Sequence, residues 1–124
     1  MKNKIPHKNN KTFTNVDPIT VEVIRNSFAS IAKQMNQNLA RSAYTPIIYE
    51  MKDCSVAIFD RNVNLVGQSS GLPVFLGTLG PAVKAVVKSY KISELKEGDI
   101  YIINDSYIVG SHLNDMTVLS PIFY

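Results

Sequence analysis

The chain contains a single cysteine, Cys54, in 124 residues, so no internal disulfide holds it together and a reducing compartment suits it. It has no run of about 18 uninterrupted apolar residues, the length that a membrane-spanning helix requires. The segment before Asp17 lacks the continuous apolar core of a secretory signal, being broken by Pro6 and His7. Internal repeats are absent. Excess charge of one sign is absent from the body as well: the net +3 arises because four of the thirteen Lys and Arg residues (Lys2, Lys4, Lys8 and Lys11) precede the first acid. From Asp17 onward nine basic residues stand against ten acidic ones. A basic arm with Asn and Thr and no apolar core is expected to be disordered, so residues 1–16 read as a solvated leader rather than a nucleic-acid-binding arm. These absences favour a cytoplasmic protein with neither a membrane nor a nucleic acid as partner.

What remains is a body with 45% hydrophobic and 19% charged residues, enough for one core and too short for two ordinary domains. Asp17-Pro18 is a helix start, with Asp17 able to cap free N–H groups and Pro18 in the position whose missing N–H costs nothing. Ile24, Phe28, Ile31, Met35 and Leu39 then recur at steps of three and four, an apolar stripe expected to pack in the core. The helix should run from Pro18 to near Tyr44, because Thr45 precedes a proline. Residues 54–59 and 63–66 read as a hairpin turning at Asp60-Arg61-Asn62. Gln68 to Gly71 and Pro73 form a loop, and a second helix is expected over Pro81–Tyr90 with Val83, Val86, Val87 and Tyr90 as its buried side. Glu97-Gly98-Asp99 turns the chain into a strand at 100–103, and a further strand-like run spans 116–123. The expected fold is α+β, two helices packed on one mostly antiparallel sheet. The last run stops on Ile122-Phe123-Tyr124 without a cap or polar tail, as if the chain were cut within a larger domain.

The densest chemistry lies in Asn104-Asp105-Ser106-Tyr107-Ile108-Val109-Gly110-Ser111-His112-Leu113-Asn114-Asp115. Asp105, His112 and Asp115 are oxygen and nitrogen donors of the kind that hold Zn, Mn or Fe. Residues three apart on a strand face opposite sides, so His112 and Asp115 converge only if the backbone bends. Gly110 is expected to give it the freedom to do so. Asp105 has an equally good structural role, because short Asx side chains bond backbone two residues on. Tyr107 reads either as core or as a substrate contact. Cys54 reads as a small buried hydrophobe at the start of a strand.

Taken in order, these segments resemble the N-terminal part of the hydantoinase B/oxoprolinase family, the large-subunit relatives in ATP-dependent N-methylhydantoinases, 5-oxoprolinases and acetone or acetophenone carboxylases. The resemblance runs from Asp17 to Phe123. It is carried by Asp17-Pro18-Ile19-Thr20-Val21-Glu22-Val23-Ile24-Arg25-Asn26, Arg41-Ser42-Ala43-Tyr44-Thr45-Pro46, Asp53-Cys54-Ser55-Val56-Ala57-Ile58-Phe59-Asp60, Pro73-Val74-Phe75-Leu76-Gly77-Thr78 and, most specifically, Asn104-Asp105-Ser106-Tyr107 with Gly110-Ser111-His112-Leu113-Asn114-Asp115-Met116-Thr117. Three departures are visible: Ser106 stands where a proline is usual, Val109 where a glycine is usual, and Phe75 where a histidine is common.

The resemblance implies that residues 17–124 are the N-terminal portion of a much longer domain that binds one divalent metal, Mn, Zn or Fe. Asp53, His112 and Asp115 match its ligands. Asn104 and Asp105 are then placed behind the ligands and Tyr107 on the substrate side. The implied activity is hydrolysis of a cyclic amide after an ATP-using, hydantoinase A-type partner subunit has phosphorylated the ring, within an oligomer. The carboxylase branch of the family, or a non-catalytic remnant or assembly piece, is the alternative.

Overall fold

Asp17 starts the first helix through its side chain. Its carboxylate accepts from the Ile19 N–H at 3.3 Å, and from the Thr20 N–H and hydroxyl at 3.2 and 3.1 Å. The bond from Ile19, followed by those from Thr20, holds the carboxyl below its ordinary range. In the computed structural model, which describes residues 16–69, 73–110 and 112–124, helix α1 runs Pro18–Ser42. The expected leader therefore lies outside the described residues except for Val16, as do Ser70, Gly71 and Ser111. Helix α1 ends two residues before Tyr44, as Ala43 adopts an extended backbone. A short helix, α2 (Pro46–Tyr49), follows with Pro46 at its first position.

Strands β1 (Ala57–Phe59) and β2 (Leu65–Gln68) pair antiparallel, with a bulge between Ile58 and Phe59. The turn joining them is wider than Asp60-Arg61-Asn62. The Asp60 carboxylate accepts from the N–H groups of Asn62 and Asn64, both at 2.8 Å, and from the Asn64 side-chain amide at 2.9 Å. The Asn64 bonds hold the Asp60 carboxyl below its ordinary range. Val63, expected to open the second strand, instead closes the turn at φ 62°, in the left-handed region that disfavours β-branched residues.

Helix α3 spans Pro73–Ser89, beginning eight residues before the expected Pro81. Pro73 can take a helix-start position, and the apolar residues after it favour burial more than Pro81 opposes the helix. Pro81 lies inside, where it cannot donate to the Gly77 carbonyl and its ring crowds that carbonyl. Ala82 and Val86 form the buried side, Val83 and Val87 are half-buried, and Tyr90 is exposed. The Tyr90 ring lies against Tyr101 at 4.9 Å.

After a turn of 3-10 helix at Ile92–Glu94, Gly98 takes φ +88° and the chain enters β3 (Tyr101–Ile103). Strand β3 pairs antiparallel with β4 (Thr117–Leu119). The chain is α+β as expected, but among the described residues the strands form two separate two-stranded ribbons instead of one sheet. The final run contributes only Thr117–Leu119 to a strand, and Pro121, which has no N–H, follows it. Helix α1 rests on β1 and β2, and α3 touches β4. The face of α1 that is covered centres on Ala32, with Phe28 and Asn36 half-buried beside it. Four members of the expected core stripe (Ile24, Ile31, Met35 and Leu39) stay 40–49% exposed. Among the described residues no helix is long and apolar enough to cross a membrane.

Candidate functional site

The connection from β3 to β4 is built by its own aspartates. The Asp105 side chain accepts from the Tyr107 N–H at 2.9 Å, and its carbonyl accepts from the N–H groups of Ile108 and Val109 at 3.0 and 2.9 Å. This coils residues 105–109 into one turn and drives Val109 into the protein, where it is only 2% exposed. Gly110 is needed here for space and not for an unusual φ. A Cβ at this position would sit 2.8 Å from the His112 carbonyl oxygen and 3.0 Å from Ser106 Cα.

Beyond it, Asp115 folds back on His112. Its Oδ2 accepts from the His112 N–H at 3.0 Å and lies 3.6 Å from the imidazole Nδ1. The Asp115 N–H in turn donates to the His112 carbonyl at 3.3 Å. The imidazole is 69% exposed and the carboxylate 21%, so this pair presents a ring and an oxygen to solvent from one hydrogen-bonded turn. Tyr107, 99% exposed on the same connection, is not a core residue. Asn104 and Asp105 are exposed on the same connection.

Asp53 comes from another part of the fold, the link between α2 and β1, where its N–H donates to the Ile47 carbonyl at 3.0 Å. Among the described residues no group of three or more His, Cys, Asp or Glu side chains is placed to hold a metal ion. The fold therefore brings His112 and Asp115 together and leaves Asp53 on a separate loop. One imidazole and two carboxylates suit a divalent cation chemically. As arranged here they offer it a pair of donors and a third that stands apart.

Residues 17–124 match the Hydantoinase B/oxoprolinase family throughout. The chain belongs to that family. It is 44% identical over 111 residues to an uncharacterized protein of Methanocaldococcus jannaschii, covering 88% of this chain and 20% of that one. It is 36% identical over 108 residues to 5-oxoprolinase of Saccharomyces cerevisiae, covering 87% of this chain and 8% of the relative. With caprolactamase subunit beta of Pseudomonas jessenii the identity is 33% over 109 residues, covering 88% and 19%. The chain thus spans a fifth or less of the length of these relatives.

Within this family segment the structure also joins residues that sequence reading left unconnected. Ser69, 3% exposed, receives the Asn36 side-chain N–H at 3.1 Å and the Val56 N–H at 3.3 Å on its hydroxyl. The Cys54 thiol donates to Asn36 Oδ1 at 3.2 Å, so Cys54 is half-buried and hydrogen-bonded instead of a plain hydrophobe. Burial first, then the neighbouring Asp53 charge, pushes the thiol up. A polar Asn36 in line with Phe28 and Ala32 on the covered side of α1 was the available signal, since buried polar groups demand partners.

Proposed function

We propose that residues 17–124 form part of a metal-dependent hydrolase subunit of an ATP-coupled hydantoinase or oxoprolinase acting on cyclic amides. The family match along 17–124 carries this reading, and relatives named 5-oxoprolinase and caprolactamase subunit beta support a cyclic amide as substrate. The word subunit in the second name supports a multi-subunit assembly, here taken to include a hydantoinase A-type ATP-binding partner. The bond broken would be the ring C–N bond of a lactam or imide activated by phosphorylation, in the cytoplasm.

His112 and Asp115 would supply two donors to a divalent cation, Mn, Zn or Fe, with Asp53 as the third once its loop is brought to that turn, and the bound cation would polarise the reacting carbonyl. The chain's own contribution is positional. Asp105 and Gly110 shape the turn, Asp115 orients the His112 backbone and ring, and Tyr107 extends from the same turn toward solvent as a substrate contact.

The test is made on a complete enzyme containing this sequence together with its ATP-binding partner, by elemental analysis and by ATP-dependent ring opening of 5-oxoproline and caprolactam. His112→Ala and Asp115→Ala should lose the metal and lower turnover roughly 100-fold or more, with unchanged circular dichroism. Full metal content and turnover in both variants would show that the turn is structural and would favour a non-catalytic role for this part.

A further inference from the structure

A cleft of about 800 Å3 opens between the C-terminal half of α1 and the α2–β1 connection. Lys33 and Arg41 border it from the helix and Lys52 from the connection, and no carboxylate is among its described lining residues. None of these three cations forms an ion pair with a described residue. Like charges gathered on one concavity repel one another, and that repulsion falls when an anion enters. The polar wall is built too, since Asn36 and the buried Ser69 border the cleft and are bonded to each other. Lys52 is held in place by the turn that ends α2, where its backbone takes the left-handed conformation at φ 53°. Its N–H to the Ile48 carbonyl at 3.1 Å, and the Cys54 N–H to its own carbonyl at 2.8 Å, hold it there.

We propose that this cleft binds a small-molecule oxyanion, a carboxylate or a phosphoryl group, between Lys33, Arg41 and Lys52. The proposal goes beyond the hydrolase reading, because neither His112 nor Asp115 lines the cleft. It stands or falls separately.

The full 124-residue chain, isotopically labelled, is titrated with inorganic phosphate and separately with succinate at constant ionic strength, and amide resonances are followed. Saturable shifts confined to Asn36, Tyr49, Lys52 and Ser69 are expected with at least one probe. A response to phosphate alone identifies a phosphoryl ligand, to succinate alone a carboxylate, and to both the shared oxyanion chemistry. Arg41→Gln and Lys52→Gln should each weaken binding about two- to fivefold, as expected of solvent-exposed charge pairs. Arg41→Lys should retain most of it, and Lys84→Gln, outside the cleft, all of it. No saturable shift with either probe, or an equal loss in Lys84→Gln, would overturn the proposal. Should the Gln variants fail to fold by circular dichroism, the unmodified chain's titration decides alone.

Discussion

Gly67 shows how a single missing side chain lets a helix and a strand approach closely. A Cβ there would lie 2.9 Å from both Phe28 Cβ and the Phe28 carbonyl oxygen, so α1 can rest on β2 only where the strand has no side chain. Gly67→Ala is expected to lower stability by about 1–3 kcal/mol in urea denaturation, the usual penalty of forcing atoms into a packed contact. The opposite sign is expected at Val63, whose φ of 62° is strained for a branched residue and acceptable for asparagine. Val63→Asn should raise stability by about 0.5–1 kcal/mol, read as a higher urea midpoint at unchanged slope. A residue-level pattern shows that a turn lies near Asp60. It does not show which residue takes the left-handed conformation, because that depends on how the Asp60 carboxylate distributes its bonds to Asn62 and Asn64.

At the scale of elements, two carboxylates hold backbone starts and turns in place. Asp17 caps α1, and Asp60 closes the β1–β2 hairpin, each with its carboxyl below the ordinary value of 3.8 through bonds to N–H groups. Because the folded values are depressed, this stabilisation is fully present above the unfolded value and is lost as pH falls through the folded ones. Helical circular dichroism followed from about pH 5 to pH 2 should fall less steeply in the Asp17→Asn, Asp60→Asn double variant, since asparagine caps without titrating. An equally steep loss would assign acid sensitivity to other carboxylates. The α1–hairpin junction depends on a neutral link as well. Ser69→Ala removes the hydroxyl that receives the N–H groups of Asn36 and Val56, and should cost about 1–3 kcal/mol, more than an exposed serine would.

For the whole molecule, the apolar side chains of α1 decide its behaviour in solution. Ile24, Ile31, Met35 and Leu39 are 40–49% exposed along one helix, and apolar surface of this extent favours association. The 124-residue chain should elute at increasing apparent mass with concentration in size-exclusion chromatography, and Ile24→Glu with Ile31→Gln should reduce this without loss of helicity. Concentration-independent elution as a monomer would refute it. The sequence by itself determined much of the local structure: the Asp17-Pro18 helix start, the hairpin around Asp60, the turn before β3 and the turn bearing His112 and Asp115. All rest on caps, prolines and alternation acting within a few residues. Family membership was equally legible, because ordered motifs persist along 17–124. Only the tertiary structure decided which side of α1 is covered. A periodic stripe reports what a helix could bury, whereas the close approach at Gly67 and the Asn36–Ser69 bond select the side that it does. Likewise, donor type and spacing nominate Asp105, His112 and Asp115. The distance between Asp53 and that turn depends on how two separate ribbons are set against their helices, and no local pattern encodes it.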